Sequence, residues 1–293
     1  MAISITRRGL LAASIFAPAI ISARTASAGT GELADRLRDI ETAAGGRLGV
    51  AILDTGNGVR VEHRAHERFA MCSTFKFLAA ACVLARVDRG EEQLDRRVTF
   101  AKDDLVTWSP VTEKHAGDGM TMTQLCHAAV TVSDNTAGNL LLTSFGGPAG
   151  LTAFARSLGD ELTRLDRIEP GLNEATKGDP RDTTTPAAML GNLDRTVLGD
   201  ALSPASRDRL GAWLRANTTG DKRLKAGLPA GWTIGDKTGT GGNGATNDVG
   251  VIWPPEHAPI IVSAYLAETT IAPEKREAAL REVGRIAASL RSS

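Results

Sequence analysis

The chain has 293 residues, of which 42% are hydrophobic and 23% charged, an ordinary globular balance. Lys+Arg and Asp+Glu both number 34, so no basic field points to nucleic acid and no acidic tail is present. No internal run is long and apolar enough to suggest a membrane span.

Residues 1–28 contain Arg7, Arg8 and Arg24 and no acid, which leaves 31 basic against 34 acidic residues, about −3, in the remainder. A charged start, the short apolar run "LLAASIFAPAII" and Ala26-Ser27-Ala28 read as an export signal, 1–28, cleaved after Ala28. Thr6-Arg7-Arg8-Gly9-Leu10-Leu11 is similar to a twin-arginine signal, so the general and twin-arginine routes both stay open. The product would be periplasmic or secreted, with no membrane contact after cleavage.

Residues 32–44 have helical spacing, with Leu33, Leu37 and Ile40 on one side and Gly45-Gly46 as a stop. "RLGVAILD" and "VRVEH" flank Thr55-Gly56-Asn57-Gly58, a β-hairpin signal. The middle, about 72–215, is helix-rich, with "MTMTQLCHAAVT", "TPAAMLGNLDR" and "SPASRDRLGAWLRAN" as helices. Strands return in "WTIGDKTGT", "NDVGVIWP" and "PIIVSAYLA". The chain closes on an amphipathic helix with Pro273 in its first turn and Leu280, Val283, Ile286 and Leu290 on one stripe. Strands at both ends with helices between predict an α+β fold. One antiparallel sheet is built from both chain ends (about 29–64 and 221–293), flanked by helices, with an inserted all-helical lobe and the site in the cleft between.

Four short stretches carry chemistry. "MCSTFKFLAA" puts Ser73 and Lys76 at i and i+3, on one face of a helix. There a lysine can orient or deprotonate a hydroxyl, or be an ordinary surface lysine. "TVSDNTAG" puts Ser133, Asp134 and Asn135 between two helical runs, where all three are also good N-caps. "GDKTGTGG" puts Lys237, Thr238, Gly239 and Thr240 on a strand, where a lysine also protects an exposed edge. "RIEPGLNEA" puts Glu169 and Asn173 in a Pro/Gly-marked segment that also reads as a solvated loop.

Taken together and in this order, Ser-x-x-Lys, Ser-Asp-Asn and Lys-Thr-Gly resemble the class A serine β-lactamases over roughly 30–291. Glu169-Pro170-Gly171-Leu172-Asn173 separates that family from the transpeptidases that share the other three motifs. The resemblance implies the β-lactamase/transpeptidase fold over a catalytic domain of 29–293. It also implies hydrolysis of the β-lactam amide of penicillins and cephalosporins through a serine acyl-enzyme, and hence resistance. The alternatives are a D-Ala-D-Ala peptidase or transpeptidase, and a β-lactam receptor that stays acylated.

In the roles the resemblance implies, Ser73 is the nucleophile and Lys76 orients it and shuttles a proton. Ser133 protonates the departing lactam nitrogen. Glu169 activates the deacylating water, with Asn173 holding it, and either Lys76 or Glu169 is the base for acylation. The backbone N–H groups of Ser73 and Thr240 form the oxyanion site. Lys237 and Thr238, with Gly239 between them and Thr240, receive the substrate carboxylate. Asn135 bonds the acylamino side chain, and Trp108 forms a wall at the mouth or is a partly buried loop aromatic. Many members use an arginine later on the sheet; here that position is Thr246, and Arg223 resembles the arginine that other members use instead. Arg167 is expected to pair with Asp182 across the neck of the Glu169 loop, and Glu169–Pro170 is a candidate cis bond. No cofactor and no metal are implied: His63, His66, His115, His127 and His257 are scattered without zinc-ligand spacing. The partner is a small-molecule β-lactam and the chain a monomer. Cys72, Cys82 and Cys126 are expected to be free thiols, because the family's disulfide partner positions are Ala80 and Gly241 here.

Overall fold

The computed structural model describes residue 1 and residues 19–291, with side chains from residue 31 onwards. The arginine pair and most of the apolar run of the expected export signal lie outside the described residues. Helix α1 (Ala19–Ala44) leads into the hairpin of β1 (Arg47–Asp54) and β2 (Arg60–His63). A short strand β3 (Phe69–Ala70) precedes a single tight turn, Cys72–Thr74, and helix α2 (Phe75–Asp88). After β4 (Arg97–Val98) and β5 (Met120–Thr121) come α3 (Met122–Thr131), α4 (Asn135–Ser144) and α5 (Gly147–Ser157). Strand β6 (Thr183–Thr184), α6 (Pro186–Leu193) and α7 (Pro204–Arg215) return the chain to the sheet. Strands β7 (Thr233–Thr240), β8 (Thr246–Trp253) and β9 (Ile260–Ala267) and helix α8 (Pro273–Ser289) complete it.

The main sheet runs β2-β1-β9-β8-β7, and its neighbouring strands are antiparallel. The chain's two ends meet in it, with β1 in register with β9 from Arg47↔Ala267 to Asp54↔Ile260. Successive strand residues point to opposite faces, and here both faces are covered. Leu48, Val50 and Ile52 of β1 and Val262, Ala264 and Leu266 of β9 pack with Leu37 of α1 and Leu280, Val283 and Ile286 of α8. The intervening Ala51, Leu53, Ile261 and Tyr265 pack with α2, α3 and α6 on the other face. That is why these strands read as unbroken apolar runs rather than alternating ones.

Helix α2 is the centre of the second core, and every residue from Phe75 to Ala85 is buried. A helix apolar on all sides has neighbours on all sides, which accounts for the run "FLAAACVLA" after Lys76. The three cysteines are free and buried. A Cβ placed on Gly241 would lie 2.7 Å from Cys72 Sγ, so Cys72 does face that position, which here has no sulfur to offer.

Candidate active site

The tight turn Cys72–Thr74 carries Ser73 onto the N-terminal end of α2. Cys72 sits at φ 45° and Ser133 at φ 61°, both in the left-handed region that side chains disfavour. The turn is held from outside: Asn247 of β8 donates Nδ2 to Ala70 O (2.9 Å) and Met71 O (3.1 Å). Strand β7 passes so close that a Cβ on Gly239 would lie 2.7 Å from Met71 O. Glycine is required there, and the approach sets the Thr240 end of β7 beside the turn that bears Ser73.

Lys76 is wholly buried and makes a dense set of contacts. Its Nζ donates to Ser73 Oγ (2.9 Å), Ser133 O (2.9 Å) and Asn135 Oδ1 (2.6 Å), with Ser133 Oγ at 3.4 Å. It also pairs with Glu169 Oε1 at 2.9 Å. The Ser73 hydroxyl donates to the same Oε1 at 2.9 Å. Glu169 Oε2 accepts from Asn173 Nδ2 at 2.5 Å. Asn173 Oδ1 is buried and receives no hydrogen bond among the described residues. Burial pulls the Lys76 ammonium below the usual lysine range, opposed by the Glu169 carboxylate.

Lys237 is also wholly buried, so the edge-guarding reading of this lysine fails. Its Nζ donates to Ser133 Oγ (3.0 Å) and Thr238 O (2.8 Å). Ser133 Oγ therefore lies between the two lysines. Burial pulls Lys237 well below the usual lysine range, and the Lys76 charge adds to it. The cap reading holds for Asp134 alone of its three residues. Asp134 caps α4 through Ala137 N (2.9 Å) and accepts from Val111 N and Thr112 N, while its neighbours turn toward Lys76. Asn135 spends its Nδ2 on Thr107 O at 2.7 Å.

Arg223 lies against the Thr240 end of β7. Its Nη1 donates to Gly239 O (3.0 Å) and Asn247 O (2.7 Å), and its Nη2 to Thr240 Oγ1 (2.7 Å). Thr246 stands opposite Thr240 in the β7–β8 register but turns its hydroxyl to Gly244 O. Trp108 is 62% exposed, which corrects the partly buried alternative. Its Nε1 donates to Val132 O (3.0 Å), and its carbonyl accepts from Asn135 N (2.9 Å). Arg167 Nε pairs with Asp182 Oδ2 at 2.6 Å, and Glu169–Pro170 is cis.

Three contributors escaped the sequence reading. Asn139 clamps the Glu169 backbone from α4, with Oδ1 accepting from Glu169 N (2.9 Å) and Nδ2 donating to Glu169 O (3.0 Å). Its spacing from Asn135, four residues along one helix, is the signal that could have found it. Gly138 leaves room for the Lys76 stem, since a Cβ there would lie 2.9 Å from Lys76 Cε. Asn247 had no local signal.

A profile of the β-lactamase enzyme family matches residues 32–290. Beta-lactamase Toho-1 of Escherichia coli is 46% identical over 280 residues, 96% of each chain. Beta-lactamase AST-1 of Nocardia asteroides is 47% identical, covering 96% of this chain and 94% of that protein. The solved structure of an ancestral class A β-lactamase is 64% identical and superposes with a TM-score of 0.87, covering 88% of this chain and 99% of that one. With Lys76 and Glu169 on the Ser73 hydroxyl and Lys76 and Lys237 on that of Ser133, in a chain that matches these enzymes along nearly its whole length, this protein belongs to the class A serine β-lactamases.

Proposed function

We propose that the chain hydrolyses the β-lactam amide through an acyl-enzyme on Ser73. The contact of Ser73 Oγ with both Lys76 Nζ and Glu169 Oε1, each at 2.9 Å, carries the reading. While charged, Lys76 can only donate, so the Ser73 proton is directed at Glu169. As Ser73 Oγ bonds to the lactam carbonyl carbon, its proton passes to Glu169. The negative charge on the carbonyl oxygen is met by the N–H groups of Ser73 and Thr240. The C–N bond then breaks and the nitrogen takes the Ser133 proton, which Lys76 replaces. Glu169 returns its proton to Lys76, and the carboxylate can then activate water. That water can donate one proton to Glu169 and one to Asn173 Oδ1. It attacks the ester, and Ser73 Oγ leaves with the proton returned by Glu169. Lys237 and Thr238, with Arg223 behind Thr240, would hold the substrate carboxylate by charge-assisted hydrogen bonds. Asn135 and Trp108 would flank the acylamino side chain.

The peptidase and receptor alternatives are not favoured, since relatives spanning 96% of the chain are named β-lactamases. Sustained nitrocefin turnover, rather than one equivalent, separates a lactamase from both. Glu169→Ala should accumulate a covalent penicillin adduct on Ser73: without the Glu169 charge the buried Lys76, 2.9 Å from Ser73 Oγ, can be neutral and take the Ser73 proton in acylation, while losing the general base costs roughly 10²–10⁴-fold in deacylation. Mass spectrometry after brief exposure tests it. An unmodified protein, or wild-type turnover, would give Glu169 another role.

Residues 1–28 would be removed on export and 29–293 form the catalytic unit, working as a monomer in the periplasm or medium. Among the described residues no helix is long and apolar enough to cross a membrane. The N-terminal sequence of the exported protein tests the cleavage site.

A further inference from the structure

A chain of polar contacts runs beneath the carboxylate end of the site, and its donor directions can be assigned without seeing hydrogens. Asn217, beyond the end of α7, donates Nδ2 to Asp236 Oδ2 at 2.6 Å. Its other amide atom receives the backbone N–H of Thr219 at 3.1 Å. A backbone N–H meets only an acceptor, so that atom is the oxygen, whatever the protonation of Asp236. The Thr219 hydroxyl lies 2.8 Å from the same Oδ1. An amide oxygen has no proton to give, so Thr219 is the donor there. A hydroxyl has one proton. Thr219 Oγ1 must therefore accept at its remaining contact, Thr238 Oγ1 at 2.5 Å.

Thr238 thus donates its single hydroxyl proton to Thr219. Its neighbour two residues along β7 has the opposite polarity. Thr240 Oγ1 accepts from Arg223 Nη2 at 2.7 Å, and no described residue accepts the Thr240 proton. Of the two threonine hydroxyls flanking Gly239, one is turned to another side chain and one is ready to donate.

We propose that Thr219 is a positioning residue that withholds the Thr238 hydroxyl from anionic substrates. The carboxylate is met first by Lys237 and Thr240, and Thr238 donates to it only after releasing Thr219. Binding then exchanges one hydrogen bond for another instead of adding one. This inference rests on the reading that Lys237 and Thr238 receive the substrate carboxylate.

Steady-state kinetics of Thr219→Val, Thr219→Ser and Thr238→Val with a penicillin and with its methyl ester test it. Valine keeps the shape of threonine and the backbone N–H bond to Asn217 but removes the acceptor, so Thr238 is released. Thr219→Val should lower KM for the free penicillin by roughly three- to ten-fold, the worth of one net hydrogen bond, with kcat nearly unchanged. KM for the ester should not move. Thr219→Ser should behave as wild type. Thr219→Ala carries the same expectation as valine and serves if the valine variant fails to fold. An unchanged or raised KM in the variants lacking the hydroxyl overturns the inference, as does a serine variant that follows valine. If Thr238→Val raises KM for the free penicillin while Thr219→Val leaves it unchanged, the carboxylate reading stands and only the Thr219 role falls. If Thr238→Val changes nothing, the carboxylate reading falls and takes this inference with it.

Discussion

Two wholly buried lysines converge on one serine hydroxyl, with Lys76 Nζ at 3.4 Å and Lys237 Nζ at 3.0 Å from Ser133 Oγ. Burial disfavours both charges, and the charge of Lys76 further disfavours that of Lys237. Of the two, among the described residues, only Lys76 makes an ion pair with a carboxylate, Glu169, as the proposed proton exchange between them requires. Arg223 is the third buried cation here, and burial lowers its pKa as well. Three of its contacts end on β7 and β8, at Gly239 O, Asn247 O and Thr240 Oγ1. Arg223→Ala should therefore lower kcat/KM for carboxylate-bearing β-lactams by roughly ten- to hundred-fold, the loss of a charge-assisted bond of about 1.5–3 kcal/mol. Lys237 remains, so activity should not vanish. An unchanged kcat/KM would move the supporting charge elsewhere, with Arg276 the next arginine to substitute.

At the scale of elements, the Glu169 loop is fastened at its neck and at its tip. Asp182 accepts from Asp166 N and Arg167 N, both at 2.8 Å, and pairs with the Arg167 side chain. Asn139 of α4 holds the Glu169 peptide groups themselves. Helix α4 thereby holds both ends of the proposed proton path, with Asn135 on Lys76 and Asn139 on Glu169. A misplacement of about 1 Å can cost on the order of 10²-fold in rate. Asn139→Ala should thus slow deacylation by roughly ten- to hundred-fold while acylation falls less. Pre-steady-state measurement should find a burst that the wild type lacks or shows weakly. Equal slowing of both steps would mean that Asn139 supports the fold rather than the position of Glu169.

At the scale of the whole molecule, the sheet separates two apolar cores, and a pair of carboxyls, Asp236 and Asp248, is buried within it. Asn217 bonds Asp236 at 2.6 Å, and the backbone N–H of Leu224 bonds Asp248 at 3.1 Å. Burial, with the charge of Asp236 beside it, pushes the Asp248 carboxyl well above the usual carboxylate range. A raised carboxyl pKa means that the folded chain keeps a proton the unfolded chain has released. Stability from this group is therefore present at low pH and is lost as pH rises through the folded pKa. Asn at position 248 keeps the neutral form at every pH. Asp248→Asn should lose less Tm than wild type as pH rises from about 5 to about 8. Parallel Tm curves would show that Asp248 does not hold the proton. The lysines' depressed pKa values act in the opposite direction but are common to both proteins and cancel in the difference.

Many of the elements were legible in the sequence, because apolar periodicity and turn chemistry are local. The hairpin at Thr55–Gly58, the three late strands and the closing helix all lie where their patterns put them. The reaction class was legible through the family resemblance that the four motifs carry together, each motif alone having a bland reading as well. Tertiary structure decided which of those residues meet and in what state. Nothing local distinguishes a surface lysine from Lys237 at zero exposure, or a capping Asn from one that bonds Lys76. Arg223 was singled out only through resemblance, since its partners lie 16 to 24 residues further along the chain. Asn139 and Asn247 act on loops and turns 30 and about 176 residues distant. The polarity of Thr238 depends on Asn217 and Thr219, 19 residues or so before the strand they touch. A hydrogen bond between distant segments leaves no periodicity in the sequence, and burial belongs to the packed molecule rather than to any stretch of it.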